Sequence, residues 1–342
     1  MIPALVGIVL ISGCMSAMQR TMEPLIGIEI PALIFDTGNE AVDRMIVSSD
    51  QKYMATFHRL GEDGEAGLAG IRLWRIDGLR PSRVFSFDVT NHGLEAGRFD
   101  PDQMRFIARV DDSIVSWPLH SEESRKTRVL SDLITVSPDA RYSLHQSPQS
   151  QETMNDRLLQ IHRTDDNSTT SVIRESFYDA EAVYRFSDDG GYLLRYGLNV
   201  PLTLWNVADG TEMLNLNQPI DPGTTGVEIS PDGGWLGITD GRMYDLTLRR
   251  WAGPANNDRN SDLIRFSPDS SLMAILKQPE NGNSELHVFK RETNSGTESY
   301  QPIQTMRKDH ITAIAFAPDS QSIFIGTDSG QITKRSIRDQ RN

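Results

Sequence analysis

The chain of 342 residues has few of the features that mark common functional classes. Its single cysteine, Cys14, excludes an intramolecular disulfide and a zinc site built from several cysteines. Its 34 basic residues are outnumbered by 47 acidic ones, and the net charge of -13 opposes binding to nucleic acid or to anionic lipid headgroups. The seven histidines show no His-x-His or His-Glu-x-x-His spacing, and no Gly-x-Ser-x-Gly motif occurs. We therefore expect no catalytic residue, no metal site and no cofactor.

Long apolar runs are also missing, except at the N-terminus. Residues 2–13 carry no charge and are mostly apolar, which is too short for a membrane-spanning helix but suits an export signal. The segment ends Ile11-Ser12-Gly13-Cys14, which resembles the processing box of bacterial lipoproteins. The resemblance implies a signal peptide over residues 1–13, a lipid on Cys14 and a tether over residues 14–24.

Met15 follows the cysteine, and the same resemblance then implies an outer-membrane location facing the periplasm. The membrane would be contacted only through this lipid anchor. The region before the apolar run has no Lys or Arg, which departs from the usual signal pattern. The alternative to a lipoprotein signal is that the start of the sequence is misassigned, or that the protein is cytoplasmic and has an apolar N-terminus.

Seven aspartates recur after short predicted strands. Each stands three positions after an apolar residue, and in four cases the two residues between them are Ser-Pro or Ala-Pro. The seven are Asp50, Asp102, Asp139, Asp189, Asp232, Asp269 and Asp319. Their spacing of 37 to 52 residues, about 45 on average, is typical of radial four-stranded units. We interpret them as structural turn residues whose carboxylates accept backbone N–H groups, because one occurs at the same place in every repeat.

Each repeat continues with three more strand patterns. The second strand is short and apolar, and the third is centred on a bulky residue such as Trp74, Trp117 or Trp205. Turn residues and a more polar fourth strand follow. Four strands per repeat indicate a propeller blade. We therefore predict an all-β fold, a seven-bladed β-propeller of four-stranded antiparallel blades, over residues 25–342.

The last repeat resembles the WD40 family. Residues 309–319 contain the family's histidine at His310, an apolar first strand and an Ala-Pro-Asp turn. The Ser-Pro-Asp turns elsewhere also resemble those of the TolB-type periplasmic propellers. The family's histidine before the first strand is recognisable only as His92 and His310, and no Trp-Asp dipeptide occurs. We therefore expect the buried His-Ser/Thr-Asp-Trp hydrogen-bond set of the family to be incomplete in every blade.

The two ends of the repeat region indicate how the ring closes. The chain stops soon after the third strand of the last repeat, and residues 27–35 form a strand-like segment before the first repeat. We predict that this N-terminal segment supplies the fourth strand of the last blade, which covers an exposed sheet edge.

Loop length distinguishes the blades from one another. Blades one, three and six have extra residues between their second and third strands, over residues 58–70, 146–156 and 277–284. Loops longer than a hairpin requires often carry function, although they can also be tolerated insertions. The candidate partner-binding residues in these loops are Glu62, Asp63, Glu65, Gln149, Gln151, Glu152, Glu280 and Asn281.

These observations predict a non-catalytic interaction scaffold, displayed from a bacterial membrane as a lipoprotein, that binds partner proteins through one propeller face. The acidic loop of blade one predicts partners with a basic surface. The alternative is an enzyme, or a propeller that binds a sugar or another small ligand at the mouth of the central channel. Convergent polar side chains with perturbed pKa values at that mouth favour the alternative, and a plain mouth favours the scaffold.

Overall fold

The fold is a seven-bladed propeller, seen in a computed structural model. Seven antiparallel four-stranded sheets are present, which confirms the predicted fold class. The structure describes residues 33–38, 40–60, 68–77, 82–90, 97–100, 102, 104–110, 113–119, 125–129, 133–147, 157–175, 182–217, 220, 226–239, 242–252, 263–278, 283–294 and 297–340. Within these ranges there is no helix of a length and hydrophobicity that would cross a membrane.

The strands follow one another in chain order, four to a blade. Blades one to four contain β2 Val42–Val47, β3 Tyr53–Leu60, β4 Leu68–Arg75, β5 Ser82–Thr90, β6 Gly97–Asp100, β7 Arg105–Val110, β8 Ser113–Pro118, β9 Arg125–Val129, β10 Leu133–Val136, β11 Tyr142–Gln146, β12 Arg157–Arg163, β13 Thr169–Glu175, β14 Val183–Phe186, β15 Tyr192–Tyr196, β16 Leu202–Asn206 and β17 Glu212–Leu216. Blades five to seven contain β18 Val227–Ile229, β19 Trp235–Ile238, β20 Met243–Asp245, β21 Arg250–Ala252, β22 Leu263–Phe266, β23 Leu272–Lys277, β24 Asn283–Asn294, β25 Thr297–Asp309, β26 Ile311–Phe316, β27 Ser322–Thr327 and β28 Gln331–Ser336, together with β1 Leu33–Asp36.

The first strand of each blade lies at one edge of its sheet. First strands of neighbouring blades contact one another, as β2 does with β6 and β26, and β10 does with β14. They therefore surround the central channel, and the fourth strands lie at the outside of the ring.

The ring is closed by the N-terminal strand, as the sequence predicts. Strand β1 pairs antiparallel with β28, from Leu33 opposite Lys334 to Asp36 opposite Gln331. Beyond the strand, the Thr37 amide donates to the carbonyl of Gly330 at 3.0 Å. Residues 27–32 of the predicted strand lie outside the described residues.

Apolar side chains between neighbouring blades form the core. Between blades one and two, Phe57 and Leu73 lie in one buried cluster with Phe106 and Trp117. The Phe57 and Phe106 rings are 6.4 Å apart and meet edge to face. Burying such a side chain stabilises the fold by about 1.5–3 kcal/mol, so blade contacts are the main source of stability.

Blade one has a buried hydrogen-bond set that the sequence analysis did not find. The Trp74 indole donates to Thr56 Oγ1 at 2.9 Å, and that oxygen lies 2.6 Å from Nε2 of His58. Nδ1 of His58 in turn lies 3.0 Å from the carbonyl of Ala41. The histidine comes from the second strand, whereas the WD40 pattern places it before the first, which is why the motif search missed it.

The extended hairpin of blade one contains less loop than predicted. The ladder between β3 and β4 continues through His58 opposite Gly70 to Leu60 opposite Leu68, so only residues 61–67 separate the strands. In blade six the predicted loop of residues 277–284 is also shorter, because β23 ends at Lys277 and β24 begins at Asn283. Strands β24 and β25 form a separate long hairpin, from Asn283 opposite Asp309 to Asn294 opposite Thr297.

Candidate functional site at the channel mouth

The seven turns that follow the first strands define one face of the propeller, here called the turn face. In blade three, Asp139 Oδ1 accepts from the Ser137 hydroxyl at 2.6 Å and from the Arg141 amide at 3.0 Å. The same two bonds occur in blades one, four, five and six, and Asp319 accepts the equivalent amide without a serine. The neighbours of Asp102 lie outside the described residues.

The residue after the aspartate has a left-handed backbone in each of these six turns. Such a conformation is uncommon for residues other than glycine, and only two of the six are glycines. The six residues are Gln51, Ala140, Gly190, Gly233, Ser270 and Ser320. The hydrogen bonds to the carboxylate therefore hold a tight turn of constant shape, and this shape fixes the position of the residue that precedes each aspartate.

The residues before the turn aspartates face a cavity at the centre of the turn face, here called the mouth. The mouth has a volume of about 520 Å³, which is in the range of small-ligand sites. The lining residues at this turn position are Ser49, Pro138, Asp188, Pro231, Pro268 and Pro318. Only blade four places a carboxylate there, since Asp188 stands where five other blades have proline and blade one has serine.

A second ring of side chains comes from the residue four positions before each turn aspartate, which lies on the first strand of the blade. One such residue per blade faces the channel, because side chains alternate along a strand and the following apolar residue packs between blades. The ring contains Ile46, Arg98, Thr135, Arg185, Glu228, Arg265 and Ala315. Arg44, two residues before Ile46 on β2, points the same way and also lines the mouth.

Glu228 lies at the centre of the charged residues in this ring. Its side chain is only 3% exposed, and its Oε2 accepts from Nη2 of Arg185 at 2.7 Å and from Nη1 of Arg265 at 3.2 Å. These arginines come from the blades on either side of blade five. The three side chains therefore connect blades four, five and six across the channel wall.

Burial and the nearby Asp188 carboxylate raise the pKa of Glu228 to about 7. Glu228 then carries the proton in its hydrogen bond to Asp188. Burial also acts to raise the pKa of Asp188, but Arg265, Arg44 and Arg185 outweigh it and hold that pKa below its ordinary value. The two carboxyl groups therefore share one proton near neutral pH.

Arg44 is the least satisfied of the arginines around the mouth. Its guanidinium lies 5.9 Å above the Phe57 ring, and within the described residues no carboxylate is at ion-pair distance from it. Burial, together with Arg265 and Arg185, lowers the pKa of Arg44, although Asp188 acts in the opposite direction. An anion entering the mouth would relieve this unfavourable charge.

The outer rim of the mouth is acidic. Six of the seven turn aspartates are exposed, and Asp139 is partly buried with a pKa raised by that burial. Two arginines balance part of this negative charge. Arg141 lies 3.5 Å from Asp139, and Arg98 lies 3.1 Å from Asp165. The turn face thus has a basic centre surrounded by an acidic ring.

The candidate partner-binding residues predicted from the sequence belong to three long loops. Glu62, Asp63, Glu65, Gln149, Gln151, Glu152, Glu280 and Asn281 all lie outside the described residues, as does Cys14. Strands β3, β11 and β23, which precede those loops in the sequence, run away from the turn face.

The sequence analysis missed Arg44, Asp188, Glu228 and Arg265. A signal for Glu228 and Arg265 was present, because aligning the repeats on the turn aspartates places both of them, with Arg185, at one position in three successive blades. Charged residues in an otherwise apolar first strand indicate a polar channel wall.

The charged residues around the mouth differ in how a guest molecule could reach them. Glu228 has a pKa suited to proton transfer, but it lies behind the residues that line the cavity and is held by two arginines. Asp188, Arg44 and Arg265 can contact a guest molecule directly.

In comparisons with known proteins, no family model and no curated protein matches the chain.

Proposed function

We propose that the protein is a non-catalytic binding protein that recognises a partner protein with its turn face, and that the mouth receives a group projecting from that partner. The observation that carries this proposal is the open cavity of about 520 Å³, into which charged side chains from blades one, two, three, four and six converge. A rigid ring of turns holds these side chains in place, so binding needs little reorganisation.

The acidic ring supports a partner with a basic surface. The exposed turn aspartates surround the mouth, and the whole chain carries a net charge of -13. Complementary charge steers association and selects partners more than it adds affinity. We propose the same preference for the segment of residues 61–67, because it contains the acidic residues Glu62, Asp63 and Glu65.

The location that fits this function is the bacterial cell envelope. The sequence Ile11-Ser12-Gly13-Cys14 supports a lipid anchor on Cys14, and Met15 supports the outer membrane. The Ser-Pro-Asp turns support a likeness to the TolB-type periplasmic propellers. A propeller tethered through residues 14–24 would have both faces available to partners.

A small ligand at the mouth is the second candidate. The mouth is not plain: its convergent charges and the raised pKa of Glu228 are the features that, by the criterion set from the sequence, favour a ligand-binding mouth. In this case the mouth would bind a free molecule, with or without a protein on the turn face.

Affinity capture with two matched tryptophan variants tests the proposal. Ser49→Trp places a bulky side chain at the rim of the mouth, and Asn199→Trp places one at an exposed site on the opposite face. Wild-type protein and Asn199→Trp should capture the same proteins from detergent-solubilised membranes of the producing cell, and Ser49→Trp should lose them. Capture by Ser49→Trp at the wild-type level, with an unchanged melting temperature, would contradict binding at the turn face.

A further inference from the structure

The side chains that face the mouth have one positive charge in excess. The lining contains four guanidinium groups, from Arg44, Arg98, Arg141 and Arg265, and three carboxylates, from Asp139, Asp188 and Asp189. Arg44, Arg265 and Asp188, which interact with one another next to Glu228, are here called the floor. Behind them, Nη2 of Arg185 donates to Oε2 of Glu228 at 2.7 Å. The floor is therefore prepared for one negative charge.

The walls of the mouth indicate what kind of group carries that charge. Ile46, Phe99 and Ile314 line the mouth beside the arginines. A strongly hydrated inorganic anion would lose its water against these walls, whereas an apolar or aromatic group would bury favourable area there. An arginine fork also matches the two oxygens of a carboxylate.

We propose that the floor of the mouth is a site for a carboxylate attached to an apolar body, held by Arg44 and Arg265, and that the Asp188–Glu228 pair takes up a proton when the carboxylate binds. This inference rests on the proposed function, because it names the group that the partner would insert. The carboxylate belongs either to a polypeptide or to a free small acid, which share this chemistry.

The proton uptake follows from the surroundings of the carboxyl pair. The charged and titratable groups that face Glu228 are Asp188 on the turn after β14, Arg185 on β14, Arg265 on β22, Arg44 on β2 and Tyr196 on β15. A bound carboxylate adds a negative charge beside this pair, and such a neighbour raises a carboxyl pKa by about one unit or more. Glu228, with a pKa of about 7 before binding, then binds a proton more tightly.

Calorimetric titration with benzoate tests this site at constant ionic strength. For a rise of about one unit in the pKa of Glu228, benzoate should bind about fivefold tighter at pH 6 than at pH 8. Acetate and inorganic phosphate should bind more weakly than benzoate, since neither has an apolar body. Titrations in two buffers of different ionisation enthalpy should show net proton uptake near pH 7.

Two variants separate the arginine site from general charge effects. Arg44→Gln should weaken benzoate binding at least tenfold, whereas Arg75→Gln, which removes an exposed arginine paired with Asp77, should leave it unchanged. Glu228→Gln should still bind benzoate but without the dependence on pH. Equal benzoate binding by the wild type and by a folded Arg44→Gln would overturn the site. If Arg44→Gln does not fold, an absence of proton uptake in the wild type would overturn it.

The source of the carboxylate is decided by paired peptides. A short peptide ending in phenylalanine should bind as the free acid and lose binding when amidated if the group comes from a polypeptide. Binding of benzoate but of neither peptide would assign the site to a small acid. Benzoate binding with no protein captured at the turn face would contradict the proposed function alone, and capture that is equal for wild type and Arg44→Gln would contradict this inference alone.

Discussion

Replacing Glu228 with glutamine should make the propeller more stable relative to the wild type as the pH rises. Glu228 has an ordinary pKa of 4.5, which applies to the unfolded chain, and a pKa of about 7 in the folded protein. A carboxyl group with a raised pKa favours the folded state most below pH 4.5, and this contribution is lost as the pH rises through 7. Glutamine has the shape of the protonated acid but does not ionise.

The size of the effect follows from the two pKa values of Glu228. Their difference corresponds to about 3 kcal/mol in the free energy of unfolding. For a domain of this size, that is a change of about 5 °C in melting temperature. Asp188 does not mask the effect, because its pKa is lowered and its contribution is lost only as the pH falls below about 4. The buried His58 ring has a lowered pKa, but its contribution cancels when variant and wild type are compared.

Denaturant unfolding of both proteins between pH 4.5 and pH 8 measures this difference. The free energy of Glu228→Gln minus that of the wild type should rise by about 3 kcal/mol across the range. The matched control is Glu175→Gln, which removes a buried carboxylate bound by Arg195 and by the Tyr184 hydroxyl. That variant should be less stable by about 3–5 kcal/mol, because it leaves Arg195 buried without its partner. A difference for Glu228→Gln that stays constant with pH would refute the account of the channel pair.

Three further predictions concern other parts of the chain. Deleting residues 33–36 should lower the melting temperature markedly and promote aggregation, because the deletion exposes the edge of β28 and removes the contact of Phe35 with Trp74. A deletion variant that is as stable and monomeric as the full chain would contradict ring closure by β1. Cys14→Ser should move the protein from the membrane to the soluble fraction, and mass spectrometry of the wild type should find a lipid on Cys14 rather than an unmodified Met1. Replacing Glu62, Asp63 and Glu65 with serine should slow association with basic partners at low salt while the melting temperature stays nearly unchanged; an unaltered association rate with every captured partner would exclude a role for this loop.

The fold could be predicted because each repeat carries the same local signals. The turn aspartates, the apolar strands before them and the bulky third-strand residues recur with the period of a blade. Ring closure followed from counting strands, since the last repeat lacks a fourth strand and residues 27–35 had no partner. These signals are local in sequence, and seven copies reinforce one another.

The mouth could not be predicted in the same way, because its residues are brought together by ring closure. Arg44 and Glu228 are far apart in sequence, and each looks like a single polar residue in an apolar strand. The repeat alignment places Arg185, Glu228 and Arg265 at one position, but the sequence alone does not show that this position faces the channel. The buried hydrogen bonds among Trp74, Thr56 and His58 were not predicted either, because this histidine lies on the second strand of its blade and not before the first strand.

Site-specific photo-crosslinking tests most directly that the turn face binds the partner. A photoreactive amino acid at position 49, on the rim of the mouth, should form a crosslink to the captured partner, whereas the same group at position 199 on the opposite face should not. Excess benzoate at pH 6 should reduce the crosslink at position 49. A crosslink at position 199 with none at position 49 would contradict the account.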